Sequence, residues 1–117
     1  MRLHRPATVA ATAVGALALA LALPAVPAGA ATGPFTYVYE DSSGPHVGVL
    51  SDPAGRECIT LPEVAAEFVP PAHSPRNYTD ATATVFTGPD CTGDFFSLRP
   101  HGGHASDRLK LRSVVFS

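Results

Sequence analysis

Residues 81–98 read ATATVFTGPDCTGDFFSL, and their composition indicates the fold class. Residues 81–86 and 94–98 are rich in β-branched and aromatic side chains, which favour strands. Between them, residues 87–90 read TGPD, a composition typical of turns. The stretch therefore predicts two short β-strands separated by a turn.

The segment at residues 35–40, FTYVYE, shows the same preference upstream. Its alternation has a period of two, so Phe35, Tyr37 and Tyr39 fall on one face of a half-buried strand. Turn formers at residues 41–45 come next. They predict a hairpin with a second strand at residues 47–50.

The rest of the chain continues this pattern of short elements. A third strand is predicted at residues 58–61, where Pro62 stops it. A short helical turn is predicted at residues 63–69, because Val64 and Phe68 are four residues apart. Residues 70–75 hold three prolines and predict an extended, exposed connection between two halves, and residues 112–117 predict the last strand.

Short strands separated by Gly and Pro, with no long helical period, favour an antiparallel sandwich or Greek-key fold. A layered α/β fold is the alternative, but the helices that it needs are missing from the pattern.

Residues 1–30 have the composition of an export signal. Arg2 and Arg5 precede an uncharged run at residues 7–23, and an Ala-Gly-Ala sequence ends at Ala30. A basic segment, an apolar segment and a small-residue cleavage site are the parts of a signal peptide. We predict cleavage after Ala30 and an extracellular protein. A membrane anchor is the alternative, since the run reaches the short limit for a spanning helix.

Residues 31–117 form the predicted mature chain, a single domain. Removing the leader takes away two of the eight Lys+Arg and none of the ten Asp+Glu, so the net charge becomes about −4. The remaining cations are scattered except near residues 108–112, whereas nucleic acids and anionic membranes bind clustered cations. We expect a monomer that binds no nucleic acid and, after cleavage, no membrane.

Cys58 and Cys91 are the two cysteines of the chain. In an exported protein an even pair predicts a disulfide. Closing a loop of about 34 residues would stabilise the fold by about 3–4 kcal/mol in the chain-entropy model. A free catalytic cysteine is the alternative.

The two halves of the mature chain carry similar features in the same order. Residues 39–41 correspond to 86–88, residues 58–61 to 95–98, and residues 74–76 to 113–115. A repeat of about 35–40 residues, in which neither half can bury its apolar face alone, predicts two units that share one core.

Six residues separate Phe86 from Gly93. Such spacing lets an aromatic ring pack over a folded hairpin, with glycine in a backbone conformation that other residues reach at a cost. On these residues the chain resembles the βγ-crystallin superfamily. The resemblance implies that Phe96, in the next strand, turns inward and that Ser113, in the last strand, ties back to the hairpin.

The resemblance covers residues 35–117 and implies an all-β, antiparallel, two-motif Greek-key sandwich. Motif one spans residues 35–77 and motif two residues 82–117. In motif one, the seventh residue after Tyr39 is histidine, so Gly48 or Gly55 takes the glycine's place.

Many βγ-crystallin-like domains bind calcium, and the resemblance places such a motif before Ser113. The acidic positions there hold Arg108 and Leu109, and those of the first half hold Val69 and Pro70. A hard cation needs several oxygen ligands. We predict no calcium site of this type and no cofactor.

Histidines provide the other metal candidates. His101 and His104 lie on a Gly-rich stretch, and His46 and His73 are the further imidazoles that would complete a zinc or copper site. Solvated histidines on a turn are the interpretation we favour, and no metal is expected.

The candidate glycosylation site and the candidate catalytic residues also have simpler structural explanations. Asn77 begins a glycosylation acceptor sequence, but we favour a turn-stabilising role for its side chain. The chain lacks the nucleophile-elbow, zinc-helix and phosphate-loop motifs. A triad would have to be assembled from separate groups by the fold, and we expect no enzyme activity. Those groups are Ser42, Ser43, Ser97, His104 and Asp107.

Secreted βγ-crystallin-like domains include proteinase inhibitors, so the resemblance implies a non-enzymatic binding or inhibitory module whose partner is an extracellular protein such as a protease. The candidate partner loops are residues 69–76 and 101–107, since stiff loops lose little entropy on docking. A plain connection between motifs is the alternative for the first. Their candidate contact residues are Pro70, Pro71, His73, Arg76, His101 and His104.

An antimicrobial or killer-toxin-like protein is the main alternative function, and a structural extracellular module is another. The acidic mature chain argues against binding to an anionic cell surface.

Overall fold

The computed structural model describes residues 29–117, so the predicted leader, apart from its last two residues, lies outside the described part of the chain. Within that part the fold is all-β, with two short 3-10 turns at Pro62–Val64 and Pro89–Cys91. No helix in this range is long and apolar enough to cross a membrane. The strands are β1 (Pro34–Asp41), β2 (Gly44–Ser51), β3 (Cys58–Thr60), β4 (Ala72–Asn77), β5 (Ala83–Phe86), β6 (Phe95–Leu98), β7 (Gly103–His104), β8 (Lys110–Leu111) and β9 (Ser113–Phe116).

These strands form two sheets in which every pairing is antiparallel. The first sheet has the order β2-β1-β4-β7, and β8 also pairs with β4. The second has the order β3-β9-β5-β6. The antiparallel all-β prediction is confirmed.

The β1–β2 hairpin forms where the aromatic alternation predicted it. Phe35 and Tyr37 are buried and Tyr39 is partly buried, so the three side chains share the inner face. Tyr37 lies opposite Gly48 in the register. A Cβ on Gly48 would come within 2.3 Å of the Tyr37 ring, so only glycine leaves room for it.

Aromatic side chains join the two sheets. Phe35 of β1 and Phe116 of β9 are fully buried, with ring centroids 5.4 Å apart in an edge-to-face arrangement. Burying one such side chain contributes about 1.5–3 kcal/mol. The other buried hydrophobic residues are Ala31, Tyr37, Leu61, Val64, Ala72, Ala83, Val85, Leu98, Leu111 and Val114.

The predicted disulfide is confirmed: Cys58 and Cys91 are bonded, with Cα atoms 6.0 Å apart. The bond ties β3 to the turn at residues 87–94, which we call the disulfide turn. This turn is also anchored to β9, since Ser113 Oγ donates to Gly88 O at 2.6 Å and accepts from Cys91 N at 2.8 Å. Gly93 has a φ of 86°, the left-handed conformation that favours glycine.

The prediction of an exposed connection at residues 70–75 is wrong beyond Pro71. Strand β4 starts at Ala72 and lies inside the first sheet, between β1 and the pair β7 and β8. Pro75 is tolerated there because the β1 register shifts between Thr36 and Val38, and β8 and β7 pair with β4 on either side of it. A proline needs such a gap, since it has no N–H to donate.

Phe96 also departs from its prediction, because it is 49% exposed on the edge strand β6 rather than turned inward. The helical turn predicted at residues 63–69 is reduced to Pro62–Val64. Val64 is buried, whereas Phe68 is 90% exposed, so the two side chains do not share a face.

One of the three predicted correspondences between the two halves is also wrong. Residues 95–98 form the hairpin partner of β5, whereas residues 58–60 pair with β9. The counterpart of β6 in the first half is therefore β2, and the counterpart of β3 is β7.

Candidate functional site

The segment between β3 and β4, residues 61–71, forms an ordered loop that we call the Phe68 loop. Leu61 and Val64 are buried at its base. A β-turn follows, in which Val69 N donates to Ala66 O at 3.2 Å. Phe68 occupies this turn and is the most exposed of the large hydrophobic side chains in residues 29–117. The loop therefore has a packed base and an apolar tip.

Arg112, between β8 and β9, holds the loop from beneath. Its Nη1 donates to Val64 O at 3.0 Å and Ala66 O at 2.9 Å. Its Nη2 donates to Glu67 O at 3.3 Å and Val69 O at 2.8 Å. A guanidinium is planar and offers five donors in a fixed arrangement, so one side chain can satisfy several carbonyls. The loop backbone is thereby held in one shape.

A groove of about 680 Å³ lies beside the loop, and we call it the acidic groove. Aromatic and aliphatic side chains form part of its wall, and three carboxyl groups contribute negative charge. The hairpin side is Tyr39, Glu40, Asp41 and Ser42, and the loop side is Glu63, Phe68, Val69 and Pro70.

Two of these carboxyl groups are held by residues of the first sheet. His73 Nε2 lies 2.9 Å from Glu40 Oε2, and the His73 side chain is 15% exposed. Tyr37 donates its hydroxyl to Glu63 Oε1 at 2.7 Å. Burial, together with the hydrogen bond to Glu63, raises the pKa of Tyr37, so the phenol keeps its proton and remains a donor.

Asp41 is held within the β1–β2 turn. Ser43 donates to Asp41 Oδ1 through its hydroxyl at 2.7 Å and its backbone N–H at 2.8 Å. These hydrogen bonds, with a smaller contribution from His46, lower the pKa of Asp41 to about 2. Asp41 therefore keeps its negative charge at neutral pH.

Asp41, Ser43 and His46 are close together but do not have the connectivity of a catalytic triad. Ser43 Oγ and Asp41 Oδ1 both contact the same ring nitrogen, His46 Nε2, at 3.0 and 2.9 Å. A proton relay needs the hydroxyl and the carboxylate on opposite ring nitrogens. The cluster is a turn network.

Ser74, His73 and Glu40 do use opposite ring nitrogens, since Ser74 Oγ lies 2.8 Å from His73 Nδ1. Neither Ser74 nor His73 is among the side chains that line the acidic groove. The trio serves to hold Glu40.

The predicted partner residues are dispersed. Pro70 lines the acidic groove, while His73 and Arg76 belong to β4 and are part of a sheet rather than a loop. His104 pairs with Arg76 between β7 and β4, and His101 is exposed in the preceding turn. Within residues 29–117, no group of three or more His, Cys, Asp or Glu is placed to hold a metal ion.

Asn77 has the structural role that we favoured. It is fully buried, and its Nδ2 donates to the carbonyls of Ala81, Leu98 and Arg99. Its Oδ1 accepts from Thr79 N and Oγ1. Such a side chain is not available to a glycosylating enzyme in the folded protein.

Sequence reasoning missed Phe68 as an exposed tip and Arg112 as its support. The contacts of Arg112 join residues 43 to 48 positions apart, and no local pattern reports such a contact. Glu63 was likewise missed, because its placement depends on Tyr37, a residue 26 positions away.

Comparison of the chain with protein-family models, with curated proteins and with solved structures finds no match.

Proposed function

We propose that this chain is a secreted βγ-crystallin-type domain that acts as a non-enzymatic, proteinase-inhibitor-like binding module through the Phe68 loop. One observation carries the proposal: Arg112 binds four carbonyls of a loop whose Phe68 is 90% exposed. An ordered loop with an unpaired apolar tip is suited to docking into an apolar pocket of another protein.

The strand order supports the two-motif Greek-key type of fold. In the first half β1, β2 and β4 share a sheet, and in the second half β5, β6 and β9 do, while β3 and β7 each pair in the sheet of the other half and the short β8 pairs with β4. Thus β3 pairs with β9, and β7 pairs with β4. Two halves that exchange a strand share one core, as the repeat predicts. The Gly93 conformation and the two hydrogen bonds of Ser113 are further support.

Two features support secretion with cleavage near Ala30. The disulfide is typical of oxidising, extracellular surroundings. Ala31, the predicted first mature residue, is buried, and its nitrogen lies 2.8 Å from Pro53 O, a contact that the terminal ammonium left by cleavage can keep. The domain therefore holds the chain immediately after the predicted cleavage site.

The energetics favour docking through this loop. Burying the Phe68 side chain in a partner contributes about 1.5–3 kcal/mol. A loop already held by Arg112 loses little further entropy when it binds, so more of that free energy is retained as affinity.

The turn also limits how a protease is engaged. A substrate segment lies extended in a protease cleft, whereas the Ala66–Val69 hydrogen bond folds residues 66–69 into a turn. We therefore propose inhibition by obstruction, with Phe68 inserted as a side chain and the loop left uncleaved.

An inhibition panel tests this function. The purified protein, at micromolar concentration, is expected to inhibit at least one extracellular serine or metalloprotease without being cleaved in the Phe68 loop. Phe68→Ala should weaken inhibition about 10- to 100-fold, which corresponds to the burial free energy above. Its effect on the free energy of unfolding should stay within about 0.5 kcal/mol, because the side chain makes no core contact.

Phe95→Ala is the matched control, since Phe95 is 71% exposed on the edge strand β6, outside the loop. It should leave inhibition unchanged. No inhibition of any protease in the panel, or equal losses in the two variants, would refute the proposal.

A further inference from the structure

We infer that the acidic groove receives an arginine or lysine side chain, so that the partner presents a basic segment next to the pocket that takes Phe68. This inference rests on the proposed binding role of the Phe68 loop and names the chemistry of the partner.

The groove matches the two parts of a long cationic side chain. Tyr39, Phe68 and Val69 offer apolar surface, against which a hydrocarbon stem can pack. Glu40, Asp41 and Glu63 line the same groove. A guanidinium or ammonium group is attracted both to carboxylates and to the faces of aromatic rings.

The carboxyl groups are positioned before any ligand arrives. His73, Ser43 and Tyr37 each hold one of them through a side chain, at distances of 2.7–2.9 Å. A carboxylate has about four acceptor positions on two oxygens, so each retains acceptors for a further donor. Positioning in advance reduces the entropy lost on binding.

A second groove of the molecule has the opposite character. It encloses about 230 Å³ between β6 and residues 108–110, and Arg108 and Lys110 line it with Phe96 and Leu109. Asp94 is an acidic residue in its lining. A ligand with negative charge would favour this second groove, whereas a cation favours the acidic groove, so the two sites can be distinguished by charge.

A titration followed by NMR tests the inference with a defined probe. The ¹⁵N-labelled protein is titrated with the acetylated, amidated tripeptide Leu-Arg-Leu at low ionic strength. Two matched peptides replace arginine with citrulline, which is neutral and similar in shape, or with glutamate. We expect amide shifts at residues 39–42, 63, 68 and 69, and at least about threefold tighter binding of the arginine peptide than of the citrulline peptide. The difference should shrink at about 1 M salt.

Substitutions in the groove provide the second measurement. Glu63→Gln keeps an acceptor for Tyr37 but removes the charge, and it should weaken the arginine peptide about two- to fivefold. Glu57→Gln removes an exposed carboxylate that does not line the groove and should have no effect. The citrulline peptide should be insensitive to both substitutions.

Three outcomes would overturn the inference: equal affinity for the arginine and citrulline peptides, shifts confined to residues 94–96 and 108–110, or no shifts at millimolar peptide. These outcomes are independent of the protease panel. Failure of the panel with retained arginine binding would refute the inhibitory role alone, and the reverse result would refute the basic partner alone.

Discussion

The disulfide turn and the Phe68 loop are held by two adjacent residues, Ser113 and Arg112, in different ways. Ser113 is fully buried and bonds to the backbone of residues 88 and 91. Arg112 is partly buried and bonds to four carbonyls of the Phe68 loop. Two adjacent residues at the start of β9 therefore support two separate loops.

The two loops differ in which of their groups remain exposed once the loop is anchored. The disulfide turn is attached by a covalent bond, by Ser113, and by Thr60, whose Oγ1 accepts from Asp90 N at 3.0 Å. The tip of the Phe68 loop is attached through backbone carbonyls, so the Phe68 side chain stays exposed. Anchoring through backbone acceptors thus gives a loop an ordered shape and leaves its tip available to a partner.

Of the substitutions that test this difference between the loops, removal of the disulfide should lower the free energy of unfolding most. Cys58→Ser combined with Cys91→Ser should lower the free energy of unfolding by about 3–4 kcal/mol, because the unfolded chain gains freedom. Amide exchange in the disulfide turn should rise, while Val69 N in the Phe68 loop keeps its protection. Urea denaturation and hydrogen exchange measure the two effects. A loss below about 1 kcal/mol would contradict the role of the disulfide.

Ser113→Ala should have an intermediate effect. It leaves Gly88 O and Cys91 N without their partner near the core, which costs about 1–3 kcal/mol of unfolding free energy. Ser97→Ala, at an exposed position on β6, is the control and should change the free energy by less than about 0.5 kcal/mol. Equal effects of the two substitutions would show that Ser113 does not anchor the turn.

Arg112→Ala should have the smallest global effect and a clear local one. Water can replace the guanidinium at the loop carbonyls that lie near the surface, so we expect a loss of about 1 kcal/mol. The loop itself should loosen, which hydrogen exchange would report as faster exchange of Val64 N and Val69 N. Arg112→Lys should not restore the protection, because a single ammonium cannot span four carbonyls. Unchanged amide exchange in the alanine variant would show that Arg112 does not support the loop.

Local patterns predicted the elements whose formation depends on nearby residues. The alternation at residues 35–40 predicted β1 and its inner face, since a strand has a period of two whatever it packs against. The cysteine count predicted the Cys58–Cys91 bond. The spacing at residues 86–93 marked the turn in which Gly93 has a positive φ.

The same local patterns gave wrong predictions where residues distant in the sequence determine the structure. Three prolines at residues 70–75 indicate an exposed connection, yet a register shift in β1 and the gap between β8 and β7 admit Pro75 inside a sheet. Phe96 has a hydrophobic side chain but lies on an edge strand, where no further strand covers it. Both outcomes depend on which strands become neighbours.

Four properties could be predicted without the structure: the all-β class, the first hairpin, the disulfide and the acidic balance of the domain. These follow from composition, period and counting, which need no knowledge of long-range contacts. Two further features depend on long-range packing: Phe68 projects from a turn, and Glu40, Asp41 and Glu63 line one groove. The reason is physical: Arg112 and Tyr37 reach these positions across 26 to 48 residues of chain, and such contacts exist only once the two sheets have packed.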